Sequence, residues 1–300
     1  MSTSIGTTFD QAWINTYETN LRHALQQMDS KLANAVEFGT MEGEKHRFTF
    51  IGAAEMHEVI DRMEKTVFQD TKFENRWVFH RFFNHAWMFD RNMDVKKMLT
   101  DPQSDKLKSA VAAARRQKDA VIIEAFDKTV RSGKDAEKSV AFDASTQEIG
   151  VQFGGSTNSG LTMKKLHELR ARMDEAEVDP NAPQYLAISP RGLQKFLETE
   201  KEMSSSEYNS VKALINGDLN HFMGFEWIRT NMLKDTEGVR SCFAWSKPAI
   251  KLAVSMDVRL LGPTPHADYN LNDVYLVEMG FDAVRLYDPA VFRIQCDETV

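Results

Sequence analysis

The sequence has almost nothing with which to cross-link itself. Its 300 residues include two cysteines, Cys242 and Cys296, too few for a disulfide framework. No Cys-x-x-Cys spacing is present, which removes the usual zinc and thiol-redox motifs. Long apolar runs are also missing. No stretch approaches the ~20 consecutive apolar residues that span a bilayer, so no membrane partner is expected. The opening Met1-Ser-Thr-Ser-Ile-Gly-Thr-Thr8 has neither the basic nor the apolar region of a signal peptide, so synthesis in the cytoplasm is expected. An excess of positive charge is lacking too: 37 Lys+Arg against 44 Asp+Glu leave a net charge of -7. That balance argues against a protein whose main task is an electrostatic grip on nucleic acid.

What is present is ordinary globular material. With 42% hydrophobic and 27% charged residues, the chain can build a sizeable core, and stability must come from packing. From Asp10 to about Val36 the residues Ile14, Tyr17, Leu21, Leu25, Met28 and Leu32 recur at helical spacing and predict one amphipathic helix in need of a partner. Gly39 and Gly43 end that pattern, and His46–Ile51 reads as a strand. A second extended run from about Arg76 crowds Trp77, Phe79, Phe82, Phe83, Trp87 and Phe89 among Arg76, His80, Arg81 and His85. That interleaving fits a long hairpin arm or a local aromatic core.

Asp101-Pro102-Gln103-Ser104 supplies a turn and a helix start, and no Gly or Pro interrupts the chain to about Val130. A helix over 104–130 would be roughly 40 Å long. Further on the pattern gives a strand at Ile149–Phe153, a loop at Gly154–Gly160, a helix from Leu161 to about Ala176, a strand at Tyr185–Ile188 and a helix from Pro190 to Glu200. After a short helix through Leu214 come strands at 224–229, 243–245, 249–254, 274–277, 283–287 and 291–294. Helices and strands mix without βαβ regularity, so the class is α+β.

Chemical motifs are incomplete. Gly155-Ser-Thr-Asn-Ser-Gly160-Leu161-Thr162 has the spacing of a phosphate-cradling loop, but Leu161 stands where that loop needs its lysine. The eight histidines are scattered, and His80 and His85 do not converge on one ion from either a strand or a helix. Cys242 sits in an apolar run where a buried, inert thiol is the default. Glu198, Glu200 and Glu202 with Lys195 and Lys201 read as a solvated helix face. No catalytic, cofactor or metal residues are assigned, and no enzyme is expected.

Several stretches nevertheless resemble, in order, the major capsid proteins of tailed double-stranded DNA bacteriophages, which share the Hong Kong 97 fold. They are a helical N-arm followed by an extended arm near Thr40–Trp77 and an uninterrupted helix carrying Ala112–Ala125. Then come Leu161–Leu166, Tyr185–Pro190 and Leu214–Asn231, and finally Lys251–Val254 with Gly280–Arg285. The resemblance implies an N-arm at 1–38, an extended hairpin arm (E-loop) at 39–78, a peripheral domain at 79–180 with a spine helix at about 104–130, an axial domain at 181–282 and a return strand at 283–300. It implies a virion shell built of hexamers and pentamers, served by a separate scaffolding protein and a portal, enclosing double-stranded DNA without sequence-specific binding. An encapsulin-type nanocompartment and a soluble nucleotide-binding enzyme are the alternatives.

The surfaces expected to meet other copies are the N-terminal stripe (Ile14, Tyr17, Leu21, Leu25, Met28) and the arm (Phe48, Phe50, Trp77, Phe79), whose apolar content exceeds what a projecting segment buries alone. No residue aligns with the crosslinking lysine of the founding capsid, so the shell is expected to be non-covalent. Replacing Leu21→Asp should leave a folded subunit that no longer assembles. Normal particles from that variant, seen by electron microscopy, would contradict the assignment of the stripe.

Overall fold

The computed structural model describes residues 29–52, 56, 58, 65, 68, 70–89, 102–155, 157–199 and 221–299. Two compact units divide the chain, one holding Phe83–Arg116 and Val258–Met279, the other holding residues 30–82, 117–257 and 280 onward.

The second unit is organised by a seven-stranded sheet. Its path runs β7 (Glu148–Ile149), β15 (Val291–Asp297), β12 (Val239–Ser246), β8 (Gln184–Ile188), β10 (Phe225–Arg229) and β9 (His221–Phe222), with β11 (Asp235–Thr236) paired to β12. Every residue of β8 is buried, as its continuous apolar run requires of a central strand. Strands β8 and β10 pair in parallel, and helix α4 (Pro190–Thr199) follows β8. The longest helix, α1 (Pro102–Asp127), turns Val121, Ile122, Ala125 and Phe126 fully inward. The Phe126 ring lies 4.8 Å from Phe243 and 4.6 Å from Trp245. Buried Trp245 donates its indole N–H to the Ala35 carbonyl at 2.8 Å, so no polar group of this aromatic cluster is stranded. The short helix α2 (Ala144–Gln147) and α3 (Met163–Glu175) complete the helical set among the described residues.

A second sheet, β2 (Lys45–Ile51), β3 (Phe73–Phe79), β5 (Val130–Ser132) and β6 (Lys138–Val140), holds the two strands expected to form the arm, β2 and β3. A third joins β1 (Glu37–Thr40), β13 (Ile250–His266), β14 (Asn272–Arg285) and β4 (Phe82–Phe89). In the first unit, Trp87 stacks on Tyr275 with ring centroids 5.6 Å apart. The mixed α+β class and the order of the central elements match the sequence reading.

Three local expectations need correction. The spacing predicts a helix to about Val36; residues 10–28 lie outside the described residues, and residues 29–36 are not α-helical. The chain makes a short 3-10 turn at Ala33–Ala35 and enters β1. The buried Asp119 carboxylate accepts from Ser30 Oγ at 2.6 Å, from the Lys31 N–H at 3.0 Å and from the Leu32 N–H at 3.1 Å. Tertiary capture of those N–H groups, with burial of Leu32 and Val36, outweighs the helical spacing. The strand at 149–153 is cut to β7, because residues 151–154 turn back on themselves. The aromatic run from Arg76 splits at His80-Arg81 into β3 and β4, which belong to different sheets. The short helix expected through Leu214 falls outside the described residues.

Asp119→Ala should therefore cost the subunit about 3 kcal/mol, the scale of losing several hydrogen bonds to a buried charged acceptor. Equilibrium urea unfolding of dissociated subunits checks this, and an unchanged midpoint would show that the 30–32 turn needs no anchor.

Candidate subunit interface

The loop with phosphate-cradle spacing has the opposite polarity to a phosphate site. Lys165 is fully buried, and its ammonium donates to the carbonyls of Val151 (3.1 Å), Ser159 (2.9 Å), Gly160 (3.0 Å) and Gln295 (2.9 Å). A phosphate cradle turns N–H groups inward, whereas here carbonyls converge on a cation the chain supplies itself. Thr162 caps α3 by accepting from the Lys165 N–H. The lysine thus ties the loop, α3 and β15 together. Burial lowers its pKa from the ordinary 10.5. Both cysteines are buried free thiols. A hydrogen bond with Cys296, together with burial, pushes the Cys242 thiol well up, leaving it protonated and unreactive. Among the described residues no three His, Cys, Asp or Glu side chains gather as metal ligands.

The arm is where the surface is unusual. Strands β2 and β3 pair antiparallel, with Lys45 opposite Phe79, Arg47 opposite Trp77 and Ile51 opposite Phe73. Alternation separates two faces. The inner one carries Phe48, Phe50, Arg76 and Val78. Val78 joins a core of Met41, Val130, Ala253 and Val284, with Phe48 packed against it. Arg76 lies over the Phe50 ring at 5.4 Å and reaches Asp288 at 2.7 Å. Asp288 also pairs with fully buried Arg285, whose guanidinium donates to the Phe126 carbonyl at 2.6 Å. These contacts bolt the arm to the body of its own subunit.

The outer face carries Ile51 (64% exposed), Phe73 (65%) and Phe79 (42%). Trp77, half-buried, donates its indole N–H to the Gly133 carbonyl at 2.7 Å. Of the expected contact residues, then, Phe48 and Phe50 face inward, while Trp77 and Phe79 face outward. Ile14, Tyr17, Leu21, Leu25 and Met28 lie outside the described residues. Sequence reasoning passed over Ile51 and Phe73, which the two-residue period of these strands places on one face with Phe79. It also passed over the half-exposed Phe38.

The described residues thus form three sheets, a long helix and an antiparallel pair, β2 and β3, with large apolar side chains on its outer face. A family model described as phage capsid protein matches residues 9–298, and the chain belongs to that family. A comparison with curated proteins finds no match. Among solved structures, the fold is similar to the capsid of Ralstonia phage GP4, at 13% identity and TM-score 0.69, covering 99% of this chain and 98% of that one. It is also similar to the capsid of cyanophage P-SCSP1u, at 14% identity and TM-score 0.68, covering 98% and 96%. The SrpI encapsulin of Synechococcus elongatus PCC 7942 is similar at 12% identity and TM-score 0.62, covering 97% and 96%. The protein is a self-assembling structural shell component of a phage capsid, located in the virion and not an enzyme.

Lys165→Met should destabilise the subunit by about 3 kcal/mol, because it removes the donor that four backbone carbonyls share. The pH dependence has a definite sign. The folded state disfavours the charged amine, so the unfolded state holds the proton more tightly between the lowered pKa and 10.5. Wild type should therefore gain stability as pH rises through that alkaline window. Lys165→Met should lack this gain, and matching urea-midpoint profiles for the two proteins would contradict the assignment.

Proposed function

We propose that this chain is the major head protein of a tailed phage, assembling as hexamers and pentamers into a closed icosahedral shell around double-stranded DNA. The observation that carries this reading is the arm. One face is anchored by a buried ion cluster and by core packing, and the other keeps large apolar side chains in water. A projecting, rigidly based, uncovered surface is what a subunit needs when its neighbours complete it. The N-arm (1–38), extended arm (39–78), peripheral domain (79–180), axial domain (181–282) and return strand (283–300) are the divisions that go with this role.

DNA is held by enclosure, without sequence-specific contacts, which suits a chain of net charge -7. A separate scaffolding protein and a portal are the expected partners during assembly in the host cytoplasm, and the N-terminal stripe joins the arm as a contact between copies. Likeness to an encapsulin supports a second reading, a nanocompartment around a cargo protein.

Electron microscopy of particles from infected or expressing cells should show hollow, closed shells, with DNA as the contents when the whole phage is present. Boiled SDS gels should show a monomer near 34 kDa. A ladder of heat-stable multimers would contradict non-covalent assembly, and particles holding a defined protein and never DNA would replace the phage reading with the nanocompartment.

A further inference from the structure

The stretch spaced like a phosphate cradle surrounds a group of the opposite charge. A lysine ordinarily lays its stem along the surface and keeps its ammonium in water, and Lys164 is exposed in that way. Lys165 turns inward and is 0% exposed. The carbonyls of Val151, Ser159, Gly160 and Gln295 take its ammonium at 2.9 to 3.1 Å, the distances of N–H···O hydrogen bonds. All four acceptors are neutral backbone groups. An ammonium has three N–H donors, so these carbonyls can meet every one of them, which is the condition for burying such a charge.

Bonds that leave out the ammonium set the positions of these carbonyls. Ser159 donates to the Val151 carbonyl through its N–H at 3.1 Å and its hydroxyl at 3.0 Å. The Asp297 N–H donates to the Ser159 carbonyl at 3.1 Å. Gly160 comes so near β15 that a Cβ there would stand 3.3 Å from the Asp297 carbonyl. Pairing with Ser241 in the central sheet fixes Gln295, and the Phe153 N–H closes the turn before it by donating to the Gly150 carbonyl at 3.2 Å. The turn, the Ser159–Gly160 segment and β15 are thus tied to one another apart from the lysine. A cage built in this way is a binding site that already holds its ligand.

We infer that these four carbonyls form a receptor for primary ammonium ions, one that binds the ion through its N–H groups whether or not the ion is attached to the chain. Lys165 fills the receptor in the native protein. Cutting that residue back to alanine removes Cγ, Cδ, Cε and Nζ, the heavy atoms of n-propylammonium, so this ion matches both the cage and the channel that the stem leaves. Selectivity follows from the donors. A quaternary ammonium carries the charge without an N–H, and an alkali cation would give up its water for only four oxygens set at ammonium distances. The site lies within one subunit and is independent of how copies assemble.

The test is chemical rescue of the full-length Lys165→Ala subunit. Urea midpoints are measured at neutral pH and constant ionic strength in the chlorides of n-propylammonium, tetramethylammonium, sodium and potassium. n-Propylammonium should raise the midpoint of Lys165→Ala, with an equal step for each tenfold rise in concentration beyond the dissociation constant. Wild type, whose site is full, and Lys165→Met, whose stem fills the channel without an ammonium, should show no such rise.

A midpoint that moves alike in all three proteins would make the effect one of solvent and overturn the receptor. Tetramethylammonium or potassium acting as well as n-propylammonium would show that charge alone is read, and would overturn the ammonium assignment. If Lys165→Ala does not fold, it is refolded from urea with each salt. Native circular dichroism recovered in n-propylammonium alone supports the receptor, and recovery in none of the salts, or in all of them, overturns it.

Discussion

The base of the arm is held by one group, Asp288. Its carboxylate lies between Arg76 on β3 and fully buried Arg285 at the end of β14. The buried Gln147 side chain donates to its backbone carbonyl. Arg285 in turn holds the Phe126 carbonyl where α1 ends. Arm sheet, long helix and central sheet therefore share one ionic junction. Removing one partner of such a junction strands buried charge, at a cost of about 3 to 5 kcal/mol. Its value here is geometric: it ties β3 to the ends of β14 and α1.

The same economy of buried charge recurs away from the arm. Lys165 is spent on four backbone carbonyls, Asp119 on the turn at residues 30–32, and Glu298 on Arg240 at 3.0 Å and on Ser189. The Lys195 ammonium reaches the Glu298 carbonyl at 2.6 Å, tying the end of the chain to α4. Each of these groups has its partners inside the subunit. Large apolar side chains stay exposed on the outer surface of the arm, at Ile51, Phe73 and Phe79, and also at Phe38, Phe82 and Leu271.

Much of this was legible beforehand, and the failures have physical reasons. The helix at 102–127 follows from an uninterrupted run with a proline start. The buried β8 follows from an apolar run too short for a helix. The capsid resemblance rests on the order of such pieces, and the family match covers nearly the whole chain. The end of the N-terminal helix was overdrawn because Asp119, 87 residues beyond Leu32, decides that turn. Nothing local announces such a partner. Aromatics of the arm were grouped by composition, although the period of two divides them. Phe48 and Phe50 fall with Val78 on the inner face, and Ile51, Phe73 and Phe79 on the outer. The pairing of β3 with β5 joins Trp77 to Arg131, more than 50 residues downstream, and no spacing within the arm encodes it.

Hydrogen exchange read by mass spectrometry, comparing dissociated subunits with assembled particles, tests the central claim most directly. The account predicts that peptides covering residues 45–51 and 73–79 exchange markedly more slowly in the particle, while those of the already buried β8 and β12 change little. Equal exchange of the arm in both states would mean that copies do not cover it, and the division of surfaces argued here would fail.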